Sequence, residues 1–220
     1  MLTVLHPSGN RVEKQQPQCK ESNKWLGGEL DDAAKTYLKD FGAATASNGA
    51  VGLYHVENIT PEAVKYGKDL IAEDAKVYVV DDAELQRVYE SYPVIWKKKD
   101  AKPKLCFMGC PHMSLQQLID WTEKVSQSLK EAGRARVCIP TVFTAAPAVL
   151  KKFQETPYAE TLKATGVITS YICPLMYMNN PLSEKMPVIT SSNKLRTYTS
   201  ARYYTDAEIL EQITKGGADR

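Results

Sequence analysis

Apolar positions along this chain fall into two kinds of segment. Short apolar runs at 50–56, 76–80, 105–108, 136–140, 167–171 and 188–191 alternate with longer stretches in which polar residues interrupt the apolar ones. The runs predict strands, that at 105–108 a buried one, and the stretches predict helices over 31–41, 60–73, 82–90, 114–131, 145–153 and 205–215. Three of the helix starts carry capping chemistry. Thr60 precedes Pro61, a cap followed by proline in the first turn, while Ser114 with Gln117 and Thr205 with Glu208 have capping-box spacing. Short strands separated by helices imply βαβ units, so the predicted fold is α/β, with a mostly parallel sheet flanked by helices on both faces.

Residues 1–30 lack this rhythm. Pro7, Gly9, Pro17 and the Gly27-Gly28 pair punctuate them, and an irregular lead-in is expected there. The region 31–216 then carries the fold, with room for two α/β subdomains.

Composition narrows the function classes. A chain of 220 residues with 43% hydrophobic and 25% charged residues buries a real core. Lys and Arg exceed Asp and Glu by only 28 to 26, and no basic block is longer than Lys97-Lys98-Lys99, so neither nucleic acid nor an anionic membrane is the expected partner. No apolar run reaches the roughly 18 residues of a spanning helix, and 1–28 is too polar for a signal peptide. A cytoplasmic protein is expected. Its five cysteines, odd in number and widely spread, fit reduced thiols or a metal site better than a disulfide framework.

In open α/β sheets ligands bind beyond the carboxyl ends of the strands, and three unusual clusters fall at such positions. Gly109-Cys110-Pro111-His112 follows the run 105–108 and precedes the Ser114 cap. A helix N-terminus favours thiolate over thiol, which makes Cys110 a plausible ligand, although a tight turn around a buried thiol explains the segment equally well. Cys173-Pro174 holds the matching position after 167–171, and two Cys-Pro pairs at strand-to-loop junctions suggest iron–sulfur ligation. Cys106 and Cys138, with apolar neighbours, read as core thiols. Thr190-Ser191-Ser192-Asn193-Lys194, with Arg196 and Tyr198 behind it, offers hydroxyls and cations to an anionic substrate, or else simply caps a helix.

Taken in order, these segments resemble a known family. Ala50-Val51-Gly52-Leu53-Tyr54-His55-Val56 leading into Thr60-Pro61-Glu62-Ala63, then Gly109-Cys110-Pro111-His112, then Cys173-Pro174, then Thr190, Ser192, Lys194 and Tyr198, are similar to the catalytic (large) subunit of the aconitase X family. The resemblance covers 31–216 and implies an aconitase-like fold and a hydro-lyase that dehydrates a small hydroxy acid with an iron–sulfur cluster. Because the family's large subunit is nearly twice this length, the chain is expected to be its C-terminal portion, with the third cysteine ligand outside it. Its expected partners are the missing N-terminal half and the small, swivelling subunit.

Carried over residue by residue, the resemblance makes Cys110 and Cys173 cluster ligands and places Ser192 and Lys194 in catalysis, Ser192 as the base. His55, His112, Thr190, Ser191 and Arg196 are assigned to the substrate. Asn193 and the stretch Leu195-Arg196-Thr197 depart from the family pattern, which implies a difference in substrate. The alternative reading is a non-catalytic remnant that serves as a binding or assembly partner.

Overall fold

The computed structural model describes residues 2–6, 18–20 and 29–216, residue 182 excepted. The chain divides into two compact units, Met1–Tyr92 and Pro93–Arg220.

In the first unit, strands β1 (Leu2–His6), β2 (Gln18–Lys20), β3 (His55–Val56) and β4 (Lys76–Val80) form a sheet of order β3-β2-β1-β4. β1 runs antiparallel to both β2 and β4, and only the β2–β3 pair is parallel. The expectation of an irregular lead-in is therefore corrected, because two strands lie within it.

Helix α1 (Asp32–Gly49) starts where expected, with the Asp31 carboxylate accepting from the Ala34 amide at 2.7 Å. It runs well past the expected end, through small residues without apolar periodicity, and closes at Ala50 in the left-handed region. α2 (Pro61–Tyr66) is shorter than the predicted 60–73, because Gly67 takes φ +52 and a 3-10 turn, Gly67–Leu70, follows. α3 (Asp82–Glu90) matches its expected range. Val56 and Ile59 are the buried centre of this unit, with Leu38, Phe41 and Tyr54 packed against them.

The second unit holds the predicted parallel sheet. Strands β5 (Leu105–Met113), β6 (Thr141–Ala145), β7 (Ile168–Ser170), β8 (Val188–Thr190) and β9 (Arg202–Tyr203) are all parallel, in the order β7-β6-β5-β8-β9. The helices are α4 (Leu115–Glu131), α5 (Pro147–Gln154), α6 (Pro157–Ala164), α7 (Pro174–Met178), α8 (Asn193–Tyr198) and α9 (Asp206–Lys215). Both predicted capping boxes are formed, Ser114 with Gln117 and Thr205 with Glu208. α6 and α7 have no counterpart in the sequence pattern, while α8 is the helix that the Thr190–Lys194 cluster caps in the plainer reading of that turn.

The strand expected at 136–140 falls instead at Thr141–Ala145. The amides of Val137 and Cys138 bond to the carbonyls of Thr165 and Ile213, both outside the sheet, and the β-branched and aromatic residues that favour a pleated surface begin at Thr141. The next helix accordingly starts at Pro147 rather than 145.

Alternation along β5 shows how the sheet is covered. Cys106 and Met108 pack with Leu118, Trp121, Val125 and Leu129 of α4, Phe153 of α5, Leu162 of α6, and Ile209 and Ile213 of α9. Leu105 and Phe107, pointing the other way, pack with Met178 of α7 and Leu195 of α8. Helices therefore cover both faces. Among the described residues no helix is long and apolar enough to cross a membrane.

Candidate functional site

The chemistry gathers where β5 breaks its ladder. Met108 pairs with Phe143 and Met113 with Ala145, so Gly109, Cys110, Pro111 and His112 all lie opposite one residue of β6, Thr144. This bulge inverts the side-chain alternation of the strand. By simple period-two counting Cys110 would follow Cys106 and Met108 onto the α4 face, yet it packs with Leu105 and Phe107 on the face of α7 and α8. Gly109 makes the inversion possible. Its φ is +101, and a Cβ there would lie 2.3 Å from the Thr144 carbonyl oxygen and 2.5 Å from its Oγ1.

The two elements on that face begin at the other two predicted residues. Cys173, half-buried, is the N-cap of α7, and Ser192, also half-buried, is the N-cap of α8. Cys110 lies in the carboxyl-terminal half of β5, and Cys173 and Ser192 follow the carboxyl ends of β7 and β8, so the three share one edge of the parallel sheet. The Ser192 hydroxyl accepts from the Leu195 amide at 2.9 Å and donates to the Cys110 carbonyl.

Burial pushes the Cys110 thiol above its usual pKa; a side-chain hydrogen bond with Ser192 and the charge of Lys194 pull it down, and Cys173 raises it. Ser192 is bonded to Cys110 through its carbonyl, Lys194 follows in the first turn of α8, and Cys173 opens α7, which packs on the same face as Cys110. Cys106 is fully buried in the opposite core cluster and its thiol is pushed far up by desolvation. Cys138 is half-buried on an irregular segment, outside any strand.

The remaining candidates sit as follows. Thr190 is fully buried, and its Oγ1 accepts from the Ser192 amide at 3.1 Å, so it shapes the turn. Ser191 donates to the Met108 sulfur at 3.6 Å, and Arg196 Nε donates to Asn193 Oδ1 at 3.3 Å. His112 is half-buried at the far end of the bulge, and Tyr198 is exposed. His55 is buried on β3 of the first unit. Sequence reasoning missed Thr144, whose hydroxyl donates to the carbonyls of Gly109 at 2.7 Å and Met108 at 3.2 Å. A threonine in a strand carries no signal of such a role; only the bulge reveals it.

Two thiols on one face at the same sheet edge, a lysine and a backbone kept bare at Gly109 suit part of a thiolate-held iron–sulfur group. Among the described residues no group of three or more His, Cys, Asp or Glu is placed to hold a metal ion. The donor set present therefore fits as two ligands of a larger set.

Residues 9–90 match the family model described as the aconitase X second domain, so the likeness reaches back beyond residue 31. The chain is 29% identical over 192 residues to the phosphomevalonate dehydratase large subunit of Methanosarcina mazei, covering 84% of this chain and 43% of that protein. To the large subunit from Thermococcus kodakarensis it is 31% identical over 127 residues, covering 58% and 30%.

Aconitase X of Thermococcus kodakaraensis in its holo-form superposes with a TM-score of 0.64 at 24% identity, covering 84% of this chain and 46% of that one, and shares the fold. The chain resembles the aconitase X large subunit, of which it covers the C-terminal portion. It spans less than half the length of these relatives.

Proposed function

We propose that this chain is the cluster-binding, C-terminal portion of an aconitase-X-type hydro-lyase that eliminates water from a small hydroxy acid. The observation that supports this reading is the meeting of Cys110 with Cys173, Ser192 and Lys194 at one edge of the parallel sheet. Cys110 and Cys173 would hold an iron–sulfur cluster through two thiolates, with a third from outside this chain. When bound, the cluster supplies a Lewis acid that makes hydroxide a better leaving group.

The other residues move the proton and hold the substrate. Ser192 takes the proton α to the substrate carboxylate. It does so as the alkoxide: its own proton, which bonds the Cys110 carbonyl at rest, passes to solvent before the substrate binds, the Leu195 amide and the Lys194 charge favour the oxyanion, and taking the α-proton restores the hydroxyl. Ser191 and Arg196 face the carboxylate, Thr190 holds the turn that carries them, and His112 orients the leaving hydroxyl.

Two partners complete the enzyme, the remainder of the large subunit and a small swivelling subunit. In support, the segment around Cys173 exposes large apolar side chains, Tyr171 at 65%, Ile172 at 45%, Met176 at 74% and Tyr177 at 47%, more than a finished surface leaves in one stretch. The named relatives are themselves large subunits. Reduced thiols and a protein-bound cluster suit the cytoplasm.

The test is the iron and sulfide content and visible spectrum of the anaerobically purified chain, alone and with both missing parts, followed by turnover of phosphomevalonate, the substrate in its relatives' names. Cluster and turnover gained together on assembly support the reading; a colourless, inactive assembly overturns it. The second reading, a non-catalytic assembly partner, is favoured by the finding that no group of three or more His, Cys, Asp or Glu among the described residues is placed to hold a metal. It predicts stable assembly without iron.

A further inference from the structure

We infer that Thr144 is a positioning residue whose hydroxyl holds the bulge that aims Cys110 at the Cys173 side of the sheet. The inference deepens the reading of Cys110 as a ligand, and it stands on backbone geometry.

A bulge of four residues opposite one leaves carbonyls with no ladder partner. Two consecutive carbonyls of the bulge are satisfied by hydroxyls from the two flanking strand ends. Gly109 O accepts from Thr144 Oγ1 at 2.7 Å on the β6 side, and Cys110 O accepts from Ser192 Oγ on the β8 side. Thr144 is fully buried and also donates to Met108 O at 3.2 Å, so its one proton is shared at the point where the strand leaves register.

Removing the hydroxyl takes away the bond that the part-buried Gly109 carbonyl accepts at the residue that reverses the alternation, and the buried one to the Met108 carbonyl beside it. The backbone can recover that bond only by shifting toward regular register, which swings Cys110 toward the α4 face. Ser192 has its own reason to exist as a helix cap. Thr144 caps no helix, and its hydroxyl touches nothing but these two carbonyls among the bonds described.

The experiment uses the full chain. Thr144→Val removes the hydroxyl at constant shape, and Thr144→Ser keeps it without the methyl. Metal-free protein is alkylated with iodoacetamide, and the rates at Cys110 and Cys173 are read separately by peptide mass spectrometry. Anaerobic reconstitution with iron and sulfide, in the presence of the missing large-subunit portion, follows.

Thr144→Val should change the Cys110 rate at least fivefold while Cys173 stays within twofold of the parent, and Thr144→Ser should match the parent at both. An unchanged Cys110 rate in Thr144→Val, or a Thr144→Ser variant as altered as Thr144→Val, overturns the inference. Should Thr144→Val fail to fold, Thr144→Ala against Thr144→Ser isolates the hydroxyl in the same way, and an unfolded Thr144→Ser assigns the residue to packing and overturns it too. If the parent takes up no iron on reconstitution, the cluster reading fails, while the alkylation contrast still decides the role of Thr144.

Discussion

The Ser192 hydroxyl joins two elements at one atom: it accepts the Leu195 amide that opens α8 and donates to the carbonyl of Cys110 at the end of β5's regular run. The residue assigned to move a proton therefore also ties down the strand that carries the thiol.

Ser192→Ala should for that reason do more than remove a base. Loss of the cap should lower unfolding stability by about 1 kcal/mol, and the orphaned Cys110 carbonyl should add about 1–3 kcal/mol more. Urea midpoints of parent and variant measure the sum. A variant as stable as the parent would show that neither bond contributes.

Gly109→Ala and Gly133→Ala form a matched pair. Both glycines have positive φ, +101 and +64, but a Cβ at Gly133 meets nothing within 4 Å, whereas at Gly109 it strikes Thr144 backbone at 2.3 Å. Gly133→Ala should cost about 1–2 kcal/mol of left-handed strain. Gly109→Ala should exceed it by at least about 2 kcal/mol, since the overlap is with backbone that cannot turn aside. Comparable urea midpoints for the two variants would contradict the close approach.

Cys106 should make the protein sensitive to alkali. Its fully buried thiol is held protonated by desolvation, so its folded pKa lies above the unfolded one. The folded state then binds the proton more tightly, and the stability this gives is whole below the unfolded thiol pKa, roughly 8.5, and declines as pH rises above it. Denaturation midpoints at pH 7 and pH 10 should differ less in Cys106→Ala than in the parent. Equal differences in the two proteins would remove Cys106 as the cause.

Met176→Glu should separate folding from assembly. The side chain is 74% exposed beside Cys173, so stability of the isolated chain should change by no more than about 0.5 kcal/mol. Association with the missing large-subunit portion should weaken at least tenfold in a titration, because a charge would be buried in an apolar contact. Unchanged affinity would move that interface elsewhere.

Cys110→Ser and Cys173→Ser should each abolish cluster retention in the assembled protein, and the isolated chain should bind iron weakly and show no dehydratase turnover. Iron content after desalting and a turnover assay read both. Full iron content in either variant would remove that cysteine from the ligand set.

Much of this protein is legible in one dimension. The strand and helix alternation of the second unit, the capping boxes at Ser114 and Thr205, and the Cys-Pro and Thr/Ser/Lys clusters at strand ends are local patterns, set by side-chain period and by hydrogen bonds within a few residues. They pointed to α/β topology and to the strand edge where Cys110, Cys173, Ser192 and Lys194 meet.

Other features depend on partners far away in the chain. β1 and β2 became strands by pairing with each other and with β3 and β4. β6 lies at Thr141–Ala145 rather than 136–140 because the carbonyls of Thr165 and Ile213 take the amides of Val137 and Cys138. The face on which Cys110 lies was likewise settled only in three dimensions. Period-two counting along β5 puts it with Cys106 and Met108, and it is the packing of Gly109 against Thr144, 35 residues away, that turns the thiol to the other side of the sheet.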